Sequence, residues 1–195
     1  RGFLCFLSWS RCCPCFLTIF QDNKLITMTL PQTPGPIGIF DSGYGGLTIL
    51  QGIRQQLPQY DYVYLGDNAR APYGSRSFDV VYQFTRQAVV KLFEMGCHLV
   101  ILGCNTASAK ALRTIQQNDL PLIDPARRVL GVIRPTAEIV GNLTRSRHVG
   151  ILATEGTIRS HSYALEIKKL SPDITVTGVA CPLWVPIIEN NEAGT

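Results

Sequence analysis

Residues 99–106 read Leu-Val-Ile-Leu-Gly-Cys-Asn-Thr. A run of four apolar residues before a small polar cluster predicts a short buried strand, here ending on a thiol, an amide and a hydroxyl. An earlier run, residues 37–40, breaks in the same way into Asp41-Ser42-Gly43-Tyr44-Gly45-Gly46. Both stretches place hydrogen-bonding or reactive groups just past the carboxyl end of a strand. Open α/β sheets bind their ligands there. A thiol and a carboxylate converging on one crevice point to chemistry more than to architecture.

On either side of these stretches, short apolar runs alternate with longer periodic ones. Leu47, Leu50, Ile53 and Leu57 mark one face of a helix stopped by Pro58. A second strand is predicted over 60–65, a polar loop over 66–76, and a long helix over 78–95 with Val81, Phe84, Ala88 and Leu92 inward. After the strand at 99–102 come a helix over 108–117 and a fourth strand over 120–123. This is the rhythm of a parallel sheet covered on both faces. Asp124 to Val129 is polar and holds Pro125, which places a domain junction there. Beyond it a strand over 149–153, a helix over 157–170 and a strand over 175–179 repeat the pattern of the first half. The expected fold class is α/β: two similar lobes, each with a mainly parallel sheet flanked by helices, spanning 36–128 and 129–195. With two strands the second lobe leaves its sheet underpacked, so the chain is expected to be truncated.

Composition sets bounds on the partners. The 195 residues are 46% hydrophobic and 16% charged, with a formal net charge of +4. Basic pairs such as Arg127-Arg128 and Lys168-Lys169 are scattered rather than gathered into a stripe, which argues against a nucleic-acid partner. Of the seven cysteines, four (Cys5, Cys12, Cys13 and Cys15) fall in the opening stretch. Cys97, Cys104 and Cys181 remain, an odd number at wide spacing, which fits a reducing cytoplasm better than a disulfide framework. No pair of Cys-x-x-Cys motifs is present, so no metal is expected. Residues 1–35 are set apart as a leader foreign to the fold, non-native or disordered. Arg11 and Pro14 interrupt a transmembrane reading, no small-residue cleavage site follows the apolar core, and Met28 is the favoured start.

Two motifs carry the chemistry. Gly43, Gly45 and Gly46 depart from the dinucleotide fingerprint, because Thr48 stands where its third glycine belongs and Asp41 repels a pyrophosphate. The turn is read instead as offering backbone N–H groups to a smaller anion such as a carboxylate, with Asp41 and Ser42 facing it. A purely structural tight turn is the other reading of these glycines. Cys104 alone reads as a small buried hydrophobe. Its place at a strand end before a helix, which favours thiolate, raises a reactive role to equal standing.

Together these blocks give a resemblance. Residues 39–47 (Ile-Phe-Asp-Ser-Gly-Tyr-Gly-Gly-Leu), Tyr64-Leu65-Gly66-Asp67 leading to Pro72-Tyr73-Gly74, and Cys104-Asn105-Thr106-Ala107-Ser108 resemble the glutamate racemase family. Gly131-Val132-Ile133-Arg134-Pro135 and residues 180–186 (Ala-Cys-Pro-Leu-Trp-Val-Pro) continue it, so it covers residue 36 to about Glu189.

The resemblance implies a cofactor-independent isomerase that interconverts L- and D-glutamate, supplying D-glutamate for bacterial peptidoglycan and so for cell-wall building and cell shape. Two cysteines on opposite faces of the substrate exchange the α-proton. By similarity Cys104 is the first of them, with Asp41 and Glu189 as acidic helpers. Asp41, Ser42, Tyr73, Gly74, Asn105 and Thr106 correspond to positions that hold the substrate's charged groups. The family's second cysteine lies in a Gly-Cys-Thr-His stretch that this sequence does not contain, so the chain as it stands is expected to be nearly inactive. The implied partner is glutamate, with neither nucleic acid nor membrane; a homodimer is one expected assembly, and the cytoplasm is the expected location. Two alternatives stay open: a non-catalytic module binding a small anion, and a racemase acting on aspartate.

Overall fold

The computed structural model describes residues 16–21, 24–29, 35–190 and 192. The chain divides into two units, residues 1–34 and 35–195. In the first, β1 (Phe16–Gln21) and β2 (Lys24–Thr29) pair antiparallel, with Leu17 opposite Met28. The rest of the expected leader, including its four cysteines, lies outside the described residues.

The second unit opens with β3 (Ile37–Asp41), buried along its whole length. It continues through α1 (Gly46–Gln56), β4 (Tyr62–Gly66), a 3-10 turn at Asn68–Arg70, α2 (Phe78–Glu94) and β5 (Leu99–Leu102). The strands make a parallel sheet in the order β4-β3-β5-β6, the last being Arg128–Gly131. The chain leaves β3 for β4 on one side and returns to β5 on the other. The strand order therefore reverses between β3 and β5, and the loops after these two strands flank the crevice. α2 covers the sheet with Val81, Ala88, Val89, Leu92 and Phe93, all buried at helical spacing. Ser77 caps its first turn by accepting the Val80 N–H, and Gly96, at φ +89°, ends it in the left-handed region that favours glycine.

The expected strand at 120–123 is instead a helical turn, α5 (Leu120–Ile123). It ends a nearly continuous helical stretch made of α3 (Asn105–Lys110), α4 (Leu112–Thr114) and a π-helical turn at Ile115–Asp119. Leu120 reaches the core while Leu122 is 87% exposed, and four apolar residues alone do not distinguish the two periods. The polar segment after it is a turn. The Asp124 carboxylate accepts from the Ala126 N–H and from Arg127 Nε, and the chain is delivered into β6. Val129 of β6 is packed in the main core, so the first sheet runs on through the expected boundary at 128/129.

A separate parallel pair follows: β7 (His148–Ala153) with β8 (Thr175–Ala180). α6 (Ile133–Leu143), not assigned from sequence, packs on α8 (Ser162–Leu170), and Ala137, Ile167 and Ile174 form a small second core. Pro135 sits in the first turn of α6, where its missing N–H would have had no helical partner. The single helix expected over 157–170 is two, α7 (Glu155–Arg159) and α8, broken where His161 adopts φ +52°. The last element among the described residues is α9 (Trp184–Glu189). Among the described residues no helix is long and apolar enough to cross a membrane.

Candidate active site

Asp41 ends β3 at 5% exposure. Its Oδ2 accepts the N–H groups of Gly43 at 3.2 Å and Gly46 at 2.9 Å. This corrects the reading of the glycine turn as a cradle for an external carboxylate. The anion at the start of α1 is Asp41 itself, and the Leu47 and Thr48 N–H groups are taken by the Tyr44 and Gly45 carbonyls. The turn aims a side chain; it leaves none of these donors for a ligand.

Across the crevice, Cys104 caps α3, its Sγ accepting the Ala107 N–H at 3.4 Å. Ser42 Oγ lies 3.1 Å from the same sulfur. Burial first, and then the Asp41 charge, push the Cys104 thiol up; hydrogen bonds from Ser42 and Ala107 pull the other way without prevailing. The helix end does favour thiolate, as the sequence suggests, but burial and a carboxylate outweigh it. The balance favours the thiol form, which can give a proton or lose one to a base.

The other expected residues are brought to the same rim in different ways. Tyr73 is 1% exposed, its ring tilted against those of Phe40 and Phe84, and its hydroxyl donates to the Asp67 carboxylate, which Arg70 Nε also meets at 2.7 Å. Burial first, and then the hydrogen bond to Asp67, push its phenol far up. Gly74 lies against Thr154, where a Cβ would stand 2.9 Å from the threonine Cβ. Thr106 Oγ1 meets Thr154 Oγ1 at 3.0 Å, and Thr154 meets Thr157 Oγ1 at 3.1 Å. Asn105 Oδ1 accepts the Tyr163 hydroxyl at 2.6 Å. Glu189, at the end of α9, brings Oε1 over Gly43, where an added Cβ would force the carboxylate to shift.

Sequence reasoning missed three members of this group. Tyr64 donates to the Gly43 carbonyl at 3.3 Å, and burial, Asp41 and Cys104, in that order, push its phenol up to about 12. Its signal was its place near the carboxyl end of β4, in register with Ile39. Asp67 and Thr154 also sit just beyond strand ends, as Cys104 does. Cys97 is fully buried beneath the sheet and Cys181 hydrogen-bonds weakly to the Val179 carbonyl, so among the described residues Cys104 is the thiol at this crevice. Among the described residues no group of three or more His, Cys, Asp or Glu is placed to hold a metal ion.

Fold and site define an α/β chain whose parallel sheet gathers a thiol, a carboxylate and several hydroxyls at its switch point. No protein-family model matches the chain. It is similar in sequence to glutamate racemases. It is 46% identical over 154 residues to the enzyme of Geobacter metallireducens, covering 78% of this chain and 54% of that one. The glutamate racemase of Staphylococcus carnosus is equally similar at 46%, with 79% and 56% covered. Among solved structures, a glutamate racemase isoform from Bacillus anthracis superposes with a TM-score of 0.76 at 34% identity, over 82% of this chain and 58% of that one. The Francisella tularensis glutamate racemase, solved with D-glutamate, gives 0.73 at 40% identity, over 82% and 57%. The chain thus spans about half the length of the curated relatives it matches.

Proposed function

We propose that residues 35–190 carry one face of a glutamate racemase site, in which Cys104 moves the α-proton. The observation that carries this is the Ser42–Cys104 contact of 3.1 Å beside Asp41 at the sheet's switch point. As thiolate, Cys104 takes the proton as the Cα–H bond breaks. The electron pair left on carbon spreads into the substrate carboxylate, and a second thiol on the opposite face supplies the proton that completes inversion. In the reverse direction the Cys104 thiol gives its proton to carbon. Asp41 and Glu189 assist transfer, while Ser42, Asn105, Thr106 and the Tyr73–Gly74 segment hold the substrate's carboxylate and ammonium groups. No cofactor is called for, so buried donors around the carboxylate must stabilise the developing charge. The product, D-glutamate, is a peptidoglycan precursor, which puts the work in the cytoplasm.

Site occupancy gives the test. Small-reagent alkylation of Cys104, followed at its own peptide by mass spectrometry, should slow in the presence of L- or D-glutamate. In heavy water, any exchange of the glutamate α-proton should vanish in Cys104→Ala. Alkylation indifferent to both enantiomers, or exchange that survives the substitution, would overturn the assignment.

A further inference from the structure

Lys110, the last residue of α3, is 8% exposed, a rare state for an ammonium group. Its Nζ donates to the Arg76 carbonyl and lies 5.1 Å from the centre of the Phe78 ring. On its other side is the first turn of α7. A Cβ on Gly156 would stand 2.6 Å from Lys110 Cε, 2.7 Å from Nζ and 2.8 Å from the Gly74 carbonyl. That carbonyl accepts the Gly156 N–H at 2.9 Å. The charged groups facing the ammonium are Glu155 and Arg159 of α7. The lysine is therefore wedged between the segment carrying Tyr73 and Gly74 and the turn carrying Thr154, which meets Thr106.

We propose that Lys110 is a positioning residue that pins the 73–76 segment against the start of α7 and so fixes the distance between Gly74 and Thr154 at the site. The proposal rests on the reading of this rim as the glutamate site. For stability alone an aliphatic side chain would fill the space without the cost of burying a charge. What the ammonium adds is a directional bond to one backbone carbonyl. Burial pushes the Lys110 ammonium below the usual lysine range, with Glu155 opposing, so the charge is held here at a cost.

The test uses the full chain, with amide hydrogen exchange read residue by residue. In Lys110→Met, which keeps the reach of the side chain, the Gly156 and Arg76 amides should exchange at least several-fold faster. Amides of β3, β5 and α2 should hold, and the melting temperature should stay level or rise. Lys110→Gln, which retains a donor, should restore part of the Gly156 protection, and it serves as the test if the methionine variant does not fold. A uniform rise across the sheet, a fall in melting temperature matching the loss at Gly156, or no change at Gly156 would each overturn the proposal. Glutamate protection of Cys104 in the wild type is read in parallel. Its absence counts against the glutamate site and leaves the exchange result to judge the clamp.

Discussion

Asp41→Asn should make Cys104 more reactive at neutral pH. The Asp41 charge is the second-largest influence raising the thiol, after burial, and asparagine removes it while preserving the shape. The sign follows directly. A nearby anion disfavours thiolate, so deleting it moves the ionisation to lower pH and enlarges the thiolate fraction wherever the pH lies below the pKa. The gain in thiolate grows with the size of that shift. Nucleophilicity falls with basicity at a Brønsted slope of about 0.4–0.5, below one, so the gain in thiolate outweighs the loss and the rate toward a small neutral disulfide rises. The rate is to be measured at the Cys104 peptide across a pH series, which separates it from Cys181 and the leader cysteines. The inflection should shift toward acid, and the Tyr64 phenol, raised to about 12 partly by the same charge, should titrate lower as well. Stability should change little, because the asparagine carbonyl oxygen can still accept the Gly43 and Gly46 N–H groups. Asp41→Ala leaves both donors bare and should cost about 1–3 kcal/mol for each. An unchanged or slower reaction in the asparagine variant would mean that the carboxylate does not set the thiol's state. If the glutamate reading holds, the same variant should lose proton transfer while gaining thiolate, since Asp41 assists the transfer.

How far the sequence could be read depended on whether a feature was local. β3, α1, α2, β5, β7 and β8 follow from apolar period and from breakers such as Pro58 and Gly96, which act over a few residues. The convergence of Asp41, Ser42 and Cys104 was legible for a topological reason, since all three lie just past or at the carboxyl ends of strands that become neighbours. Leu120 to Ile123 misled because a run of four suits either period, and what decides is the core that Leu120 alone reaches. α6 was hidden by Pro135, an ordinary helix breaker that is harmless in a first turn. The chemistry of the rim was less legible than its membership. Tyr73 spends its hydroxyl on Asp67, six residues earlier, and the glycine turn spends its donors on Asp41, two and five residues earlier; both depend on how an irregular loop folds back on its own strand end, which apolar period does not report. The expected anion site at that turn was displaced by an anion already in the sequence.

Gly46→Ala should be among the most damaging single-methyl changes in the chain, while Gly45→Ala next to it should be nearly silent. The two glycines read alike in sequence. In the structure a Cβ on Gly45 meets nothing within 4 Å, and its φ of −60° suits any residue. A Cβ on Gly46 would stand 2.5 Å from the Asp41 Cβ and 2.9 Å from its Cγ, with the Tyr64 hydroxyl 3.1 Å away. The Asp41 Cβ is fixed to the backbone of a fully buried strand, so relief must come from moving the start of α1. That movement stretches the 2.9 Å bond from the Gly46 N–H to the Asp41 carboxylate. Overpacking and the weakened charge-assisted bond together amount to about 3 kcal/mol. For a domain of this size that lowers the melting temperature by about 6–12 °C. Gly45→Ala should fall within about 0.5 kcal/mol of zero, the loss of chain freedom in the unfolded state offsetting any weakening of the helix start. Thermal melts of the two variants decide it, with the Cys104 exchange rate as a second reading. Gly45→Ala should leave that rate untouched, whereas Gly46→Ala, if folded, should change it, because Asp41 is then aimed differently at the sulfur. Equal melting temperatures would show that the turn yields to a methyl group at either position, and the close seating of Asp41 at the head of α1 would then carry no energetic weight.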